Sequence, residues 1–123
     1  MTVHALLTDL FFRTRIEATA EAAGVPVTVS GTIEDLLEQM REAGGGGVLV
    51  DLGAGGTRGS ERTAIEAIRT LKRLREPPAV VAWGSHVDEE AFDAARAAGA
   101  DRVLPRSAFS RRLPEILREL AAS

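Results

Sequence analysis

The chain has 123 residues, 45% of them hydrophobic and 27% charged, with a net charge of −3 and no cysteine. That balance suits one soluble globular domain over residues 1–123; it excludes disulfides and thiolate metal sites and gives no general pull toward nucleic acid. The N-terminus lacks a basic region followed by a long apolar run, and no apolar stretch approaches the ~20 residues that cross a bilayer, so no membrane partner is expected and the cytoplasm is the default location.

Val3 to Thr8 is an apolar run of strand length that ends at Asp9. Phe12, Ile16, Ala20 and Ala23 follow at spacings of three and four, the pattern of an amphipathic helix, and Gly24 closes it. Asp9 fits two roles, a cap for that helix or a member of a site. Val25 to Val29 is a short strand. Thr32 is a candidate N-cap for a helix with Ile33, Leu36, Leu37 and Met40 inward, and 44–47 is a glycine connector.

Gly47-Val48-Leu49-Val50-Asp51-Leu52-Gly53 is the central stretch. Three consecutive aliphatic residues suggest a strand covered on both faces, as in the middle of a parallel sheet. The strand ends on a carboxylate, at the edge where open α/β sheets hold their ligands. A glycine-rich loop follows to Ser60, a plausible N-cap for a helix with Ala64, Ile65, Ile68, Leu71 and Leu74 inward. Its spacing matches neither a P-loop nor a dinucleotide fingerprint. Arg58, Arg62, Arg69, Lys72, Arg73 and Arg75 make that third helix basic, as a solvated face commonly is. Pro77 and Pro78 end the segment.

Ala79 to Trp83 is a fourth strand, which places the only tryptophan at the rim of the crevice. Asp88 opens a helix with Ala91, Phe92, Ala95 and Ala98 inward, stopped by Gly99. Arg102 to Leu104 is a fifth strand. The last helix carries Leu113, Ile116, Leu117 and Leu120, with Pro114 expected in its first turn. His4 and His86 have no ligand spacing. Five strand–helix units require parallel strands with right-handed crossovers. The expected fold is flavodoxin-like, a three-layer α/β/α sandwich with a five-stranded parallel sheet in the order 2-1-3-4-5.

The chain as a whole resembles a response-regulator receiver domain. Asp51 ends the third strand, where receivers carry their phosphoacceptor aspartate. Ala97-Ala98-Gly99-Ala100-Asp101-Arg102-Val103-Leu104-Pro105-Arg106-Ser107-Ala108 resembles the receiver's alanine-glycine-alanine-aspartate, short strand and lysine. His86-Val87-Asp88-Glu89-Glu90 resembles the stretch after the receiver's fourth strand. The resemblance implies a metal site of acidic residues after the first strand, and here Leu7-Thr8-Asp9-Leu10 offers one acid only. Registering on Gly24 puts Thr8 in the second acidic slot; a shift of one puts Asp9 there. Asp9, Asp51 and the Gly53 carbonyl make a weak magnesium set.

The other family positions also depart from the pattern. Arg106 falls on the lysine slot, with a planar fork in place of a point charge, and an ion pair between Arg106 and Asp51 is expected to stand where a switch would be. Gly84, with Ser85 beside it, takes the place of the mobile threonine, and Val103 that of the aromatic switch. The methionine-proline after the phosphoacceptor is missing from the loop of Gly53, Gly55, Gly56 and Gly59. These departures imply an atypical receiver-like signalling or protein-interaction module that is not an enzyme and holds no cofactor beyond weak Mg2+. The alternatives are a working phosphoacceptor, phosphorylated on Asp51 by a histidine kinase in a phosphorelay, and a small-anion sensor. Partners would be proteins, with a homodimer compatible and an acidic rim suited to Arg96, Arg102, Arg111 and Arg112 around the last helix.

Overall fold

A computed structural model of the chain describes residues 1–53, 60–85 and 88–122, the side chains of 60–62 excepted. The strands are β1 (Val3–Leu6), β2 (Val27–Ser30), β3 (Val48–Asp51), β4 (Val80–Gly84) and β5 (Arg102–Pro105). They alternate with α1 (Leu10–Ala23), α2 (Ile33–Ala43), α3 (Ser60–Lys72), α4 (Glu89–Ala98) and α5 (Arg106–Ala122). All strand pairs are parallel, in the order β2-β1-β3-β4-β5. This is the expected flavodoxin-like sandwich.

Each residue of β3 is buried, because helices cover both faces of the sheet. On one face α2, α3 and α4 pack Leu36, Ile68, Leu71 and Ala95 against Val48, Val50 and Ala82. On the other, α1 and α5 pack Phe12, Ile16, Leu113 and Leu117 against Leu49, Val81 and Trp83. The residues of each strand therefore alternate between two cores. Register then lines up the carboxyl ends: Leu6 lies opposite Val50, Asp51 opposite Trp83, and Gly84 opposite Pro105. The crevice opens along that edge.

Side chains start the helices. Asp9 Oδ1 accepts from the Phe11 N–H at 2.8 Å and the Phe12 N–H at 3.3 Å. Thr32 Oγ1 accepts from the Asp35 N–H, and Asp88 Oδ1 from the Ala91 N–H. Gly24 and Gly99 close α1 and α4 with φ of 72° and 113°, a left-handed conformation that other residues rarely adopt.

Several boundaries differ from those expected. β1 stops at Leu6, although the Leu7 N–H still donates to the Ser30 carbonyl. β2 begins at Val27, because the Val25 N–H turns back to the Ala20 carbonyl and Pro26 has no N–H to offer. Ser60 is the first described residue of α3, and its expected capping side chain lies outside the described residues. Pro114 is not in a first turn: α5 starts at Arg106, since Phe109 is drawn fully into the core, and Pro114 lies inside the helix. Trp83, expected at the rim, is completely buried, its ring stacked on Phe109 at 4.1 Å between centroids and 2° between planes.

The closed end of the sheet is clasped by one charge cluster. Lys72 Nζ donates to the Pro78 carbonyl at 2.7 Å and to Asp101 Oδ2 at 2.8 Å. The same Asp101 oxygen accepts from the Val80 N–H at 2.7 Å, tying α3, β4 and the turn before β5 together. Burial pushes the Asp101 carboxyl up, but the Lys72 hydrogen bond, the Val80 N–H and the Lys72 charge outweigh it and hold the group below the usual carboxylate range. A carboxylate with a depressed folded pKa stabilises the fold above its unfolded value of ~3.9, and that contribution disappears as pH falls through the folded value. Asp101→Ala should therefore lower stability by about 1–2 kcal/mol at pH 7, from the lost bonds to Val80 and Lys72. In urea titrations the gap to wild type should close below about pH 4; a gap independent of pH would reject the ionic clasp.

Candidate functional site

β3 delivers Asp51 to the crevice. The side chain is 3% exposed, and its Oδ1 accepts from the Gly53 N–H at 2.8 Å, an Asx turn that bends the chain away from the sheet. Burial pushes the Asp51 carboxyl above its ordinary range. The Gly53 N–H and the Arg106 charge pull it back in part, and the Asp9 charge adds to the rise. Asp9 and Arg106 thus both act on Asp51 electrostatically.

The expected Asp51–Arg106 ion pair does not form: among the described residues no ion pair joins them. Arg106 opens α5, and its guanidinium carbon instead lies 5.5 Å from the centre of the Phe12 ring. Phe12 in turn sits against Trp83, at 5.9 Å, and Phe109, at 6.3 Å. A cation over an aromatic face is worth ~0.5–1 kcal/mol at an exposed site. The ring cluster therefore offers Arg106 an alternative to the carboxylate. Helical spacing identifies Phe12 as core but gives no sign that its face holds a cation.

Asp9 takes the capping role. One of its oxygens serves two backbone N–H groups of α1, while Thr8 is exposed on the preceding turn. Asp9 and Asp51 each have an oxygen already hydrogen-bonded to backbone, and the described residues contain no group of three or more His, Cys, Asp or Glu placed to hold a metal ion. Magnesium favours near-octahedral oxygen coordination; two partly engaged carboxylates and the Gly53 carbonyl are a sparse set for it.

Gly53, Gly84, Ser85 and Arg106 line one pocket of about 90 Å³, walled by Leu52 and Phe92. A Cβ added at Gly84 would meet Leu52 Cβ at 3.3 Å, Leu52 Cδ1 at 3.4 Å and Phe92 Cε1 at 3.4 Å. Only the Leu52 Cβ contact is tighter than an ordinary van der Waals approach, so a side chain at Gly84 would need Leu52 to give by a few tenths of an ångström. Val103 is buried in the α2–α4 core. Of the glycine loop, only Gly53 and Ser60 fall within the described residues; Gly55, Gly56, Gly59 and Arg58 lie outside them, as does His86.

His4 is fully buried at the far end of β1, with Nδ1 2.7 Å from Thr28 Oγ1 and Nε2 2.9 Å from the Gly44 carbonyl. A carbonyl only accepts, so Nε2 carries a proton, and the ring is a structural tie. Arg96 pairs with Asp93 and Arg102 with Glu119. Arg111 and Arg112 are exposed and in no ion pair among the described residues.

No protein-family model and no curated protein matches the chain. Solved structures match it over nearly its whole length. A putative response regulator from Chloroflexus aurantiacus aligns with a TM-score of 0.79 at 17% identity, covering 99% of this chain and 98% of its own. The receiver domain of NtrX from Brucella abortus gives 0.79 at 16%, covering 98% of each chain. The chemotaxis response regulator CheY4 of Vibrio cholerae gives 0.76 at 16%, covering 97% of each. The chain has the fold of response-regulator receiver domains.

The raised Asp51 carboxyl fixes the sign of one effect. A group with a raised folded pKa favours folding when protonated, and that contribution is lost as pH rises through the folded value. At pH 7, well above the unfolded value of ~3.9, the raised Asp51 carboxyl therefore costs stability. Asp51→Asn, whose Oδ1 can still accept from Gly53, should raise the melting temperature at pH 7 by a few degrees, the size of ~1 kcal/mol in such a domain. The advantage should shrink toward pH 4. A variant less stable than wild type at pH 7 would mean that the Arg106 charge outweighs burial.

Proposed function

We propose that the chain is an atypical receiver-like signalling module that acts by binding protein partners, without phosphoryl chemistry or catalysis of its own. The observation that carries this reading is Asp9. Asp9, whose charge acts on Asp51, has its Oδ1 engaged by the backbone as the cap of α1, which leaves a phosphorylation site with a weak metal-ligand set. Gly84 supports it: a switch needs a bistable element that a ligand biases, and here the position carries no side chain that could move. A surface with a single conformation would bind constitutively. Arg111 and Arg112, free of ion pairs among the described residues, suit a partner with an acidic rim.

The specific observation on the side of a working phosphoacceptor is the placement of Asp51 at the crevice within the field of Arg106. In that reading a histidine kinase would supply the phosphoryl group, adding ~1.5–2 negative charges to the crevice.

Magnesium and beryllofluoride titration separates the two, read on the amide resonances of Gly53 and Gly84. The interaction-module reading expects no saturable shift below several millimolar magnesium, as a sparse ligand set implies. A sub-millimolar midpoint, abolished by Asp51→Ala, would replace it with the phosphoacceptor reading.

A further inference from the structure

Leu10 and Phe11, in the first turn of α1, are 75% and 70% exposed. Apart from Met1 they are the exposed large hydrophobic residues among those described. The Phe11 ring stands edge-on to Phe12 at 5.9 Å, and Arg106 lies over that same Phe12. Arg15, one helical turn beyond Phe11, is exposed and in no ion pair among the described residues. Arg13 nearby is neutralised by Glu17, and Asp9 is the helix cap. The feature is an apolar knob flanked by Arg15, in no ion pair among the described residues, and by Arg106, whose charge also acts on Asp51.

On the opposite face of the sheet, α3 and α4 leave a groove of about 480 Å³. Ile65, Ala91 and Ala94 form its apolar lining. Asp88 and Glu90 bring negative charge to it, while Glu66 and Arg69 pair with one another across one side. The groove is therefore acidic where the knob is basic, and it is apolar and concave where the knob is apolar and projecting.

We propose that the Leu10–Phe11 knob of one copy seats in the α3–α4 groove of a second copy, giving head-to-tail self-association. This deepens the interaction-module reading, on which it rests, by naming one partner. The two surfaces belong to different helical layers, α1/α5 and α2–α4, so each molecule can offer its knob in one direction and its groove in the other. The contact is heterologous and repeats, unlike a two-fold dimer. It buries a small area and is weak, and its charged rim makes it salt-sensitive.

Sedimentation equilibrium of the full chain, in a concentration series up to about 1 mM, reads the association. Wild type should rise beyond the mass of a dimer, and less so at high salt. Phe11→Ser removes the knob, and Glu66→Arg with Glu90→Arg reverses the groove. All three positions are exposed, and near-ultraviolet circular dichroism of the Trp83–Phe109 stack checks that the fold is kept. Each variant alone should stay monomeric, while an equimolar mixture should stop at a one-to-one dimer, because it retains one intact knob facing one intact groove. Asp51→Asn should associate like wild type, so that failure here leaves the beryllofluoride titration to decide the phosphoryl question separately. Three results would overturn the proposal. They are a wild-type mass that stays monomeric throughout, a groove variant that associates like wild type while the knob variant does not, which indicates knob-to-knob pairing, and a mixture that remains monomeric.

Discussion

The burial of one carboxylate is the constraint around which the carboxyl edge of the sheet is arranged. Covering β3 with helices on both faces brings Asp51 to 3% exposure, and a charge in that position needs compensation. The Gly53 N–H supplies a hydrogen bond, and Arg106 supplies a field without a direct pair. Neither cancels the cost of burial, since the carboxyl still stands above its ordinary range. Asp51 is thus held in a condition that stability alone does not favour, a common property of functional positions and of their remnants.

Around that carboxylate packing narrows the crevice to a pocket of about 90 Å³. Leu52 and Phe92 stand beside Gly84, and Phe12, Trp83 and Phe109 form a continuous aromatic cluster beneath Arg106. A stacked ring pair adds ~0.5–1.5 kcal/mol beyond the area it buries, and it fixes the face from which α5 departs. Tight cores move between discrete arrangements and do not deform continuously. On the proposed reading this edge of the sheet has a single arrangement, and the surfaces it supports are permanently presented.

Alternating apolar runs and helical stripes revealed the strand order, both helical layers and the position of Asp51, because burial on both faces leaves an uninterrupted aliphatic signature. Caps were legible at Thr32 and Asp88, while Asp9 fitted both a cap and a site until the helix was in place. Pro114 misled because proline is common in first turns; the burial of Phe109, a tertiary effect, carries α5 back to Arg106. Arg106 misled for a related reason. Charge predicts attraction to Asp51, but the Phe12 ring that competes for it sits on another helix, and no local pattern reports that meeting. Leu10 and Phe11 were hidden in plain composition: beside Phe12 they extend an apolar run, and only the helix orientation reveals that two of the three face outward.

The central claim is that the edge around Asp51 has one conformation. Amide relaxation dispersion detects exchange on the microsecond-to-millisecond scale, the range of such switching. Recorded at Gly53, Gly84 and Val103, in wild type and in Asp51→Asn, it tests the claim most directly. A single packed arrangement predicts flat profiles at all three residues in both proteins. A shared exchange process at Gly84 and Val103, removed by Asp51→Asn, would contradict the account and establish a working switch.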